Sequence, residues 1–98
     1  MSRMETAEIE ELIEHLTEEA GEIVTAAMKA ARHGFKSHHP DRSTTNKEDL
    51  EYELGNLMAV KARLVDLGIL DDENIKQSFD EKMETIEAGT FYHHHQEL

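Results

Sequence analysis

Residues 9–27 read IEELIEHLTEEAGEIVTAA, and the spacing of their apolar positions decides the fold. Ile9, Leu12, Ile13, Leu16, Ala20, Ile23, Val24 and Ala27 recur mostly in steps of three and four. That is the period of a helix, not the alternation of a strand. The spacing predicts a helix from about Glu5 to Arg32, with Lys29 and Arg32 suited to the negative end of its dipole. His33-Gly34 reads as its stop. Gly21 inside it is a mild cost.

Outward from this stretch the same logic holds. Residues 35–45 read as a loop, and Pro40 biases His39 away from helix. A second helix is predicted to open with Asn46 as its N-cap, followed by Glu48 and Asp49 in the first turn. Its apolar positions are Leu50, Leu54, Leu57, Val60, Leu64 and Val65, and Leu67-Gly68 ends it. Asp71 or Asp72 caps a third helix, with Ile75, Phe79, Met83 and Ile86 on one face and Gly89 at its end. The fold class is therefore all-α, a helical bundle of three main helices per chain. The apolar stripes are broader than one thin chain can cover. A homo-oligomer is expected, a dimer or a dimer of dimers forming a homotetramer, completing a core like that of a four-helix bundle.

The chain has 98 residues, enough for one domain, taken as 1–89, with 90–98 as a tail. It carries 22 acidic and 10 basic residues, a net charge of −12. That balance argues against direct binding to nucleic acid or an anionic membrane, both of which need clustered positive charge. There is no cysteine, so disulfides and thiolate metal sites are excluded. No apolar run approaches the ~20 residues of a membrane span. The acidic N-terminal region does not read as a targeting peptide. A soluble protein of the cytoplasm is expected, the host's if the chain is viral.

Two acidic clusters stand out by where they point: Glu18-Glu19-Ala20-Gly21-Glu22 and Glu53-Leu54-Gly55-Asn56. On a helical wheel Glu19 lies about 60° from Leu16 and Glu22 about 120° on the same side. Glu53 lies only about 40° from Leu57, inside the apolar arc, with Asn56 about 100° away on that flank. A carboxylate in a core stripe is costly unless something pairs with it. Lys82, inside the apolar arc of the third helix, is one candidate counterpart. The pair is then either a structural ion pair or opposite walls of a cavity for metal and phosphate. Residues at i and i+3 are neighbours on a helix. Two such pairs on facing helices offer the hard oxygen ligands that Mg²⁺ or Mn²⁺ prefers. Lys29 lies on the same flank as Glu22, within reach of a phosphate tail. Lys61 also points inward and reads as a snorkelling lysine. Phe35 and Tyr52 read as packing residues.

The order E-E-x-x-E, a gap, then E-x-x-D is the signature of the all-α nucleoside triphosphate pyrophosphohydrolases, which include MazG-like proteins, dimeric dUTPases and phosphoribosyl-ATP pyrophosphatases. The chain resembles the compact, single-domain MazG-like type, phage-encoded members included. The resemblance runs from about Leu16 to Glu87. It takes in both clusters, Lys29, His33-Gly34-Phe35, Thr45-Asn46 and Lys82. It implies a Mg²⁺-dependent enzyme, with Mn²⁺ as substitute. The enzyme would cleave a nucleoside or deoxynucleoside triphosphate between the α- and β-phosphates, in control of nucleotide pools. It carries metal binding onto Glu19, Glu22 and Glu53. It assigns Glu18 and Glu19 to catalysis, Glu18 as a residue that orients or activates water. Lys29 and Lys82 match basic positions that meet phosphates, and His38 and Asn46 are further substrate-binding candidates. The departure is Asn56, where the family has Asp: its amide oxygen can ligate Mg²⁺ but brings no charge. The alternative from another class is a non-catalytic acidic protein that mimics nucleic acid and binds a basic partner. Such a mimic would spread its carboxylates over the surface with none buried. An inactive relative is the reading that the Asn56 departure allows, and a structural oligomerisation module, with Lys82 and Glu53 as ordinary core polar residues, is the third. His93 to His95 suit stray metals or a cloning remnant.

Overall fold

A computed structural model describes residues 2–89 and contains three helices: α1 (Arg3–His33), α2 (Asn46–Asp66) and α3 (Asp72–Glu87). The 90–98 tail, with His93 to His95, lies outside the described residues. Each helix begins on a side chain that satisfies an otherwise free amide. Ser2 Oγ accepts from the Glu5 amide at 3.1 Å, and Asp71 Oδ1 accepts from the Glu73 amide at 2.9 Å. At α2 the cap is Thr45, not Asn46. The Thr45 hydroxyl accepts from the Glu48 amide, while Glu48 Oε1 accepts from the Thr45 amide at 3.0 Å. This reciprocal box needs a Glu or Gln three positions on; Thr45 has Glu48 there, whereas Asn46 has the shorter Asp49. Gly34 ends α1 at φ 91°, a backbone state that other residues adopt only with strain.

α1 and α2 form an antiparallel hairpin. At one end Arg63 Nε donates to Glu8 Oε1 at 2.7 Å; at the other Asn46 Nδ2 donates to the Gly34 carbonyl at 2.9 Å. The seam has alternating three- and four-residue steps on both helices. On α1 it is Ile9, Leu12, Leu16, Glu19, Ile23, Ala26 and Ala30; on α2 it is Asn46, Leu50, Glu53, Leu57, Val60, Leu64 and Leu67. All of these are buried or half-buried, as the facing positions of a two-helix coil are. Glu19 and Glu53 thus occupy slots that elsewhere hold leucine or isoleucine.

The expected three-helix packing within one chain is not formed, because α3 barely touches the hairpin. It is tied at its start, where Lys61 Nζ donates to Asp72 Oδ1 at 2.9 Å. That bond accounts for the half-buried Lys61. The molecule measures 50 × 40 × 15 Å. Its thickness is little more than the 10–12 Å of one helix with its side chains, so the three helices lie in one layer. Such a layer encloses little: Leu64 is the one large side chain fully buried among the described residues. Ile13, Ala20, Val24 and Ala27, read as part of the apolar stripe of α1, face away from the seam and are exposed, as is Leu54 on α2. Phe35 and Tyr52, expected to pack, are exposed as well, and so is Phe79 on α3. Among the described residues no helix is long and apolar enough to cross a membrane.

Candidate metal and phosphate site

The middle of the seam carries three carboxylates. Glu19, Glu22 and Glu53 each place one oxygen within 4.8 Å of the other two. Glu19 and Glu22 are one turn apart on α1, and Glu53 faces them from α2. Two oxygens, Glu19 Oε2 and Glu53 Oε2, are buried with no hydrogen-bond partner. Buried polar atoms normally have partners, and an orphan calls for an explanation such as an ion.

The crowding is visible in the proton affinity of Glu53, whose carboxyl is pushed up to about 7. The first cause is the Glu22 carboxylate, with which it shares a hydrogen-bonded proton; burial follows, then Glu19. Like charges this close cannot all stay ionised without a cation. An all-oxygen donor set is what a hard divalent ion takes. Ligands at 2.0–2.1 Å from Mg²⁺ lie about 3–4 Å from one another, so three oxygens within 4.8 Å of each other are of the chemistry and the spacing that such an ion would require.

Beside the triad opens a cleft of about 320 Å³, lined by Glu22, Thr25, Ala26, Lys29, Arg42, Asn46, Asp49 and Glu53. Its lining combines three carboxylates, Glu22, Asp49 and Glu53, with two cations, Lys29 and Arg42. A second cleft, of about 420 Å³, shares Lys29 and Asn46 and adds His33, Ser37, His38, His39 and Pro40. The loop between α1 and α2 therefore forms one wall of each. That loop is fastened to the start of α2. The Asn46 and Lys47 amides donate to the Ser37 and Phe35 carbonyls at 2.8 and 2.9 Å. The positive end of α2 is thereby used internally and is not left open to an anion.

The other sequence candidates fall in different places. Glu18 is exposed and points to His15, Nδ1 to Oε2 3.9 Å, outside the triad. Asn56 is half-buried one turn on from Glu53. Asn46 lines both clefts, but its amide nitrogen is committed to the Gly34 carbonyl. His38 lines the second cleft, its Nδ1 2.9 Å from the His39 carbonyl. Lys82 is exposed on α3 and lines neither cleft, and the groups that shift Glu53 are Glu22 and Glu19 alone. The pairing of Lys82 with Glu53 is thus not made, because α3 does not lie on the hairpin. Arg42 and Asp49 were not read as site residues. Arg42 sits in a loop, where no periodicity says which way a side chain faces; Asp49 signals in the sequence only a favourable first-turn charge.

No family model, curated protein or solved structure matches the chain.

Proposed function

We propose that the chain is a Mg²⁺-dependent nucleoside triphosphate pyrophosphohydrolase of the MazG-like kind that its motifs resemble. The observation that carries this reading is the convergence of Glu19, Glu22 and Glu53, with two orphaned buried oxygens, beside a cleft that Glu22 and Glu53 line together with Lys29 and Arg42. Glu19, Glu22 and Glu53 would hold the ion, with Asn56 as a neutral neighbour. A bound divalent ion neutralises phosphate charge and makes a bound water more acidic. Lys29 meets the phosphate chain, and Glu18, exposed one residue before Glu19, would serve the water only by turning from His15 toward the triad. The second cleft, with His38 on its wall, takes the nucleoside end. The buried carboxylate oxygens favour this reading over a nucleic-acid mimic, whose acids would all be solvated.

The same reading includes assembly. A single layer of helices with Ile13, Val24, Met28 and Met58 exposed suits a homodimer or homotetramer, in which a second copy covers the outer stripe of α1. Sedimentation equilibrium tests it: a monomer at micromolar concentration refutes the assembly.

Product analysis tests the chemistry. Each common NTP and dNTP is incubated with the protein and Mg²⁺ or Mn²⁺, beside Glu53→Gln. Monophosphate plus pyrophosphate, lost in Glu53→Gln, is the expected outcome. Monophosphate plus orthophosphate means a different placement of the phosphate chain. No turnover with either metal overturns the enzyme reading.

A further inference from the structure

The loop that walls the first cleft contributes one cation, and that cation is not free. Arg42 Nη1 lies 3.4 Å from Asp49 Oδ2, while the Thr44 hydroxyl donates to Asp49 Oδ1 at 2.6 Å. Asp49, on the first turn of α2, therefore holds both Arg42 and the loop's last residues. The two bonds differ in kind. The Thr44 bond is short and its acceptor carboxylate is only 21% exposed. The Arg42 contact is longer than the 2.7–2.9 Å of a strong charge-assisted bond, and the Arg42 side chain is 55% exposed. An exposed, stretched ion pair contributes little and exchanges readily. With the α2 amides already occupied, a polyphosphate in this cleft finds its positive partners only in side chains of the lining, and the lining holds two: Lys29 and Arg42.

We propose that Arg42 is a substrate-binding residue of this site, resting on the function proposed above: its guanidinium leaves Asp49 for the polyphosphate, and Asp49 is the latch that holds it when the cleft is empty. Thr44 keeps the loop attached to Asp49 throughout, so the exchange moves a side chain and not the loop. A guanidinium grips two phosphate oxygens at once, which a lysine cannot. The latch makes a specific prediction about sign. Removing Arg42 weakens binding, whereas neutralising Asp49 strengthens it, and only while Arg42 is present.

The experiment is calorimetric titration of the full chain with inorganic tripolyphosphate in Mg²⁺. Five proteins are compared: wild type, Arg42→Gln, Asp49→Asn, the double variant and Glu53→Gln, each checked for helicity by circular dichroism. Arg42→Gln is expected to raise Kd about tenfold, as loss of one charged hydrogen-bonding partner does. Asp49→Asn is expected to lower it by roughly threefold, a gain within the worth of an exposed pair. In the double variant that gain disappears. If Arg42→Gln binds as wild type does, the role of Arg42 is overturned while the metal-site reading stands. If Asp49→Asn strengthens binding equally with and without Arg42, Asp49 acts through its own charge and the latch is overturned. If wild type and Glu53→Gln bind equally, the carboxylate site is refuted even where Arg42→Gln still weakens binding. If wild type does not bind, the proposed function falls and the inference with it.

Discussion

Leu64 and Glu53 sit on the same face of α2, in equivalent slots of one seam, three turns apart. Leu64 is fully buried and makes the one well-packed point of a thin molecule. Glu53 places a carboxylate where a leucine would serve the fold better, and its buried oxygen has no partner. The helix is the same and so is the register; the difference is what the slot is used for. A seam that could be apolar throughout is interrupted at its middle. The interruption coincides with two further carboxylates from α1. Proteins give up stability in this way where a site needs charge held in place.

The largest break in the comparison is at its stable end. Leu64→Ala removes the one large side chain that is wholly enclosed, and such truncations cost about 2–5 kcal/mol. A small domain has only about 5–15 kcal/mol in all, and one layer of helices lies at the low end. Urea denaturation should show the midpoint falling by a third or more. A shift no larger than a surface substitution gives would mean that the seam is not what holds the hairpin.

Glu53→Gln is the opposite experiment. It keeps the shape and removes a charge from a crowded site. Turnover should fall by about 100-fold or more, as when one preorganised electrostatic partner is lost. The melting temperature of the metal-free protein at pH 8 should nonetheless rise by a few degrees. Loss of activity together with lower stability would make Glu53 an ordinary structural residue.

Much of this contrast was legible in the sequence. The wheel put Glu53 inside an apolar arc, and the spacing of Glu19 and Glu22 put both on one flank. Local signals were legible where a single residue decides, as Gly34 does; at the start of α3 the sequence left Asp71 and Asp72 open, and Asp71 is the cap. Such signals failed where two neighbours competed: Thr45 and Asn46 are both good caps, and the box with Glu48 chose between them. The fold reading failed at α3, whose stripe says that it needs a partner but not which one. The sequence likewise could not separate the two apolar faces of α1, since Ile13, Val24 and Ala27 have the same spacing as the seam. Arg42 was invisible for a different reason: it lies in a loop and meets Asp49 across seven residues of chain, a contact that no period announces.

Glu53 also differs from a second glutamate of α2, Glu48, in the sign of its titration. Glu53 is raised from about 4.5 to about 7, so the folded protein holds that proton more tightly than the unfolded chain. Its contribution to stability is full below about 4.5 and is lost as pH rises through 7. Glu48 is lowered by the Thr45 backbone and hydroxyl bonds of the capping box. Its contribution is present above the ordinary glutamate range and is lost in acid. Melting of metal-free wild type between pH 5 and 8 should therefore show a decline that Glu53→Gln abolishes and Glu48→Gln leaves in place. Metal runs the other way: an ion needs Glu53 ionised, so Mg²⁺ affinity should fall by up to about tenfold per unit below pH 7. A Mg²⁺ affinity that is flat from pH 5.5 to 8 would exclude Glu53 as a ligand.

The smallest effect sharpens the comparison most finely. Asn56 lies one turn beyond Glu53, where the motif that the chain resembles has Asp. If its amide oxygen already faces the ion, Asn56→Asp adds a charge to an existing contact. Mg²⁺ should then bind more tightly, by about tenfold, the scale on which neighbouring groups tune a metal site. The same change puts a fourth carboxylate beside three that already repel one another, so the metal-free protein should melt lower. Both signs are required together, because one charge causes both. Tighter metal binding with unchanged melting would mean that residue 56 reaches the ion from solvent and not from the seam. Lower melting with unchanged metal binding would place residue 56 in the crowd of acids but outside the coordination sphere, leaving Glu19, Glu22 and Glu53 as the whole of the protein's ligand set.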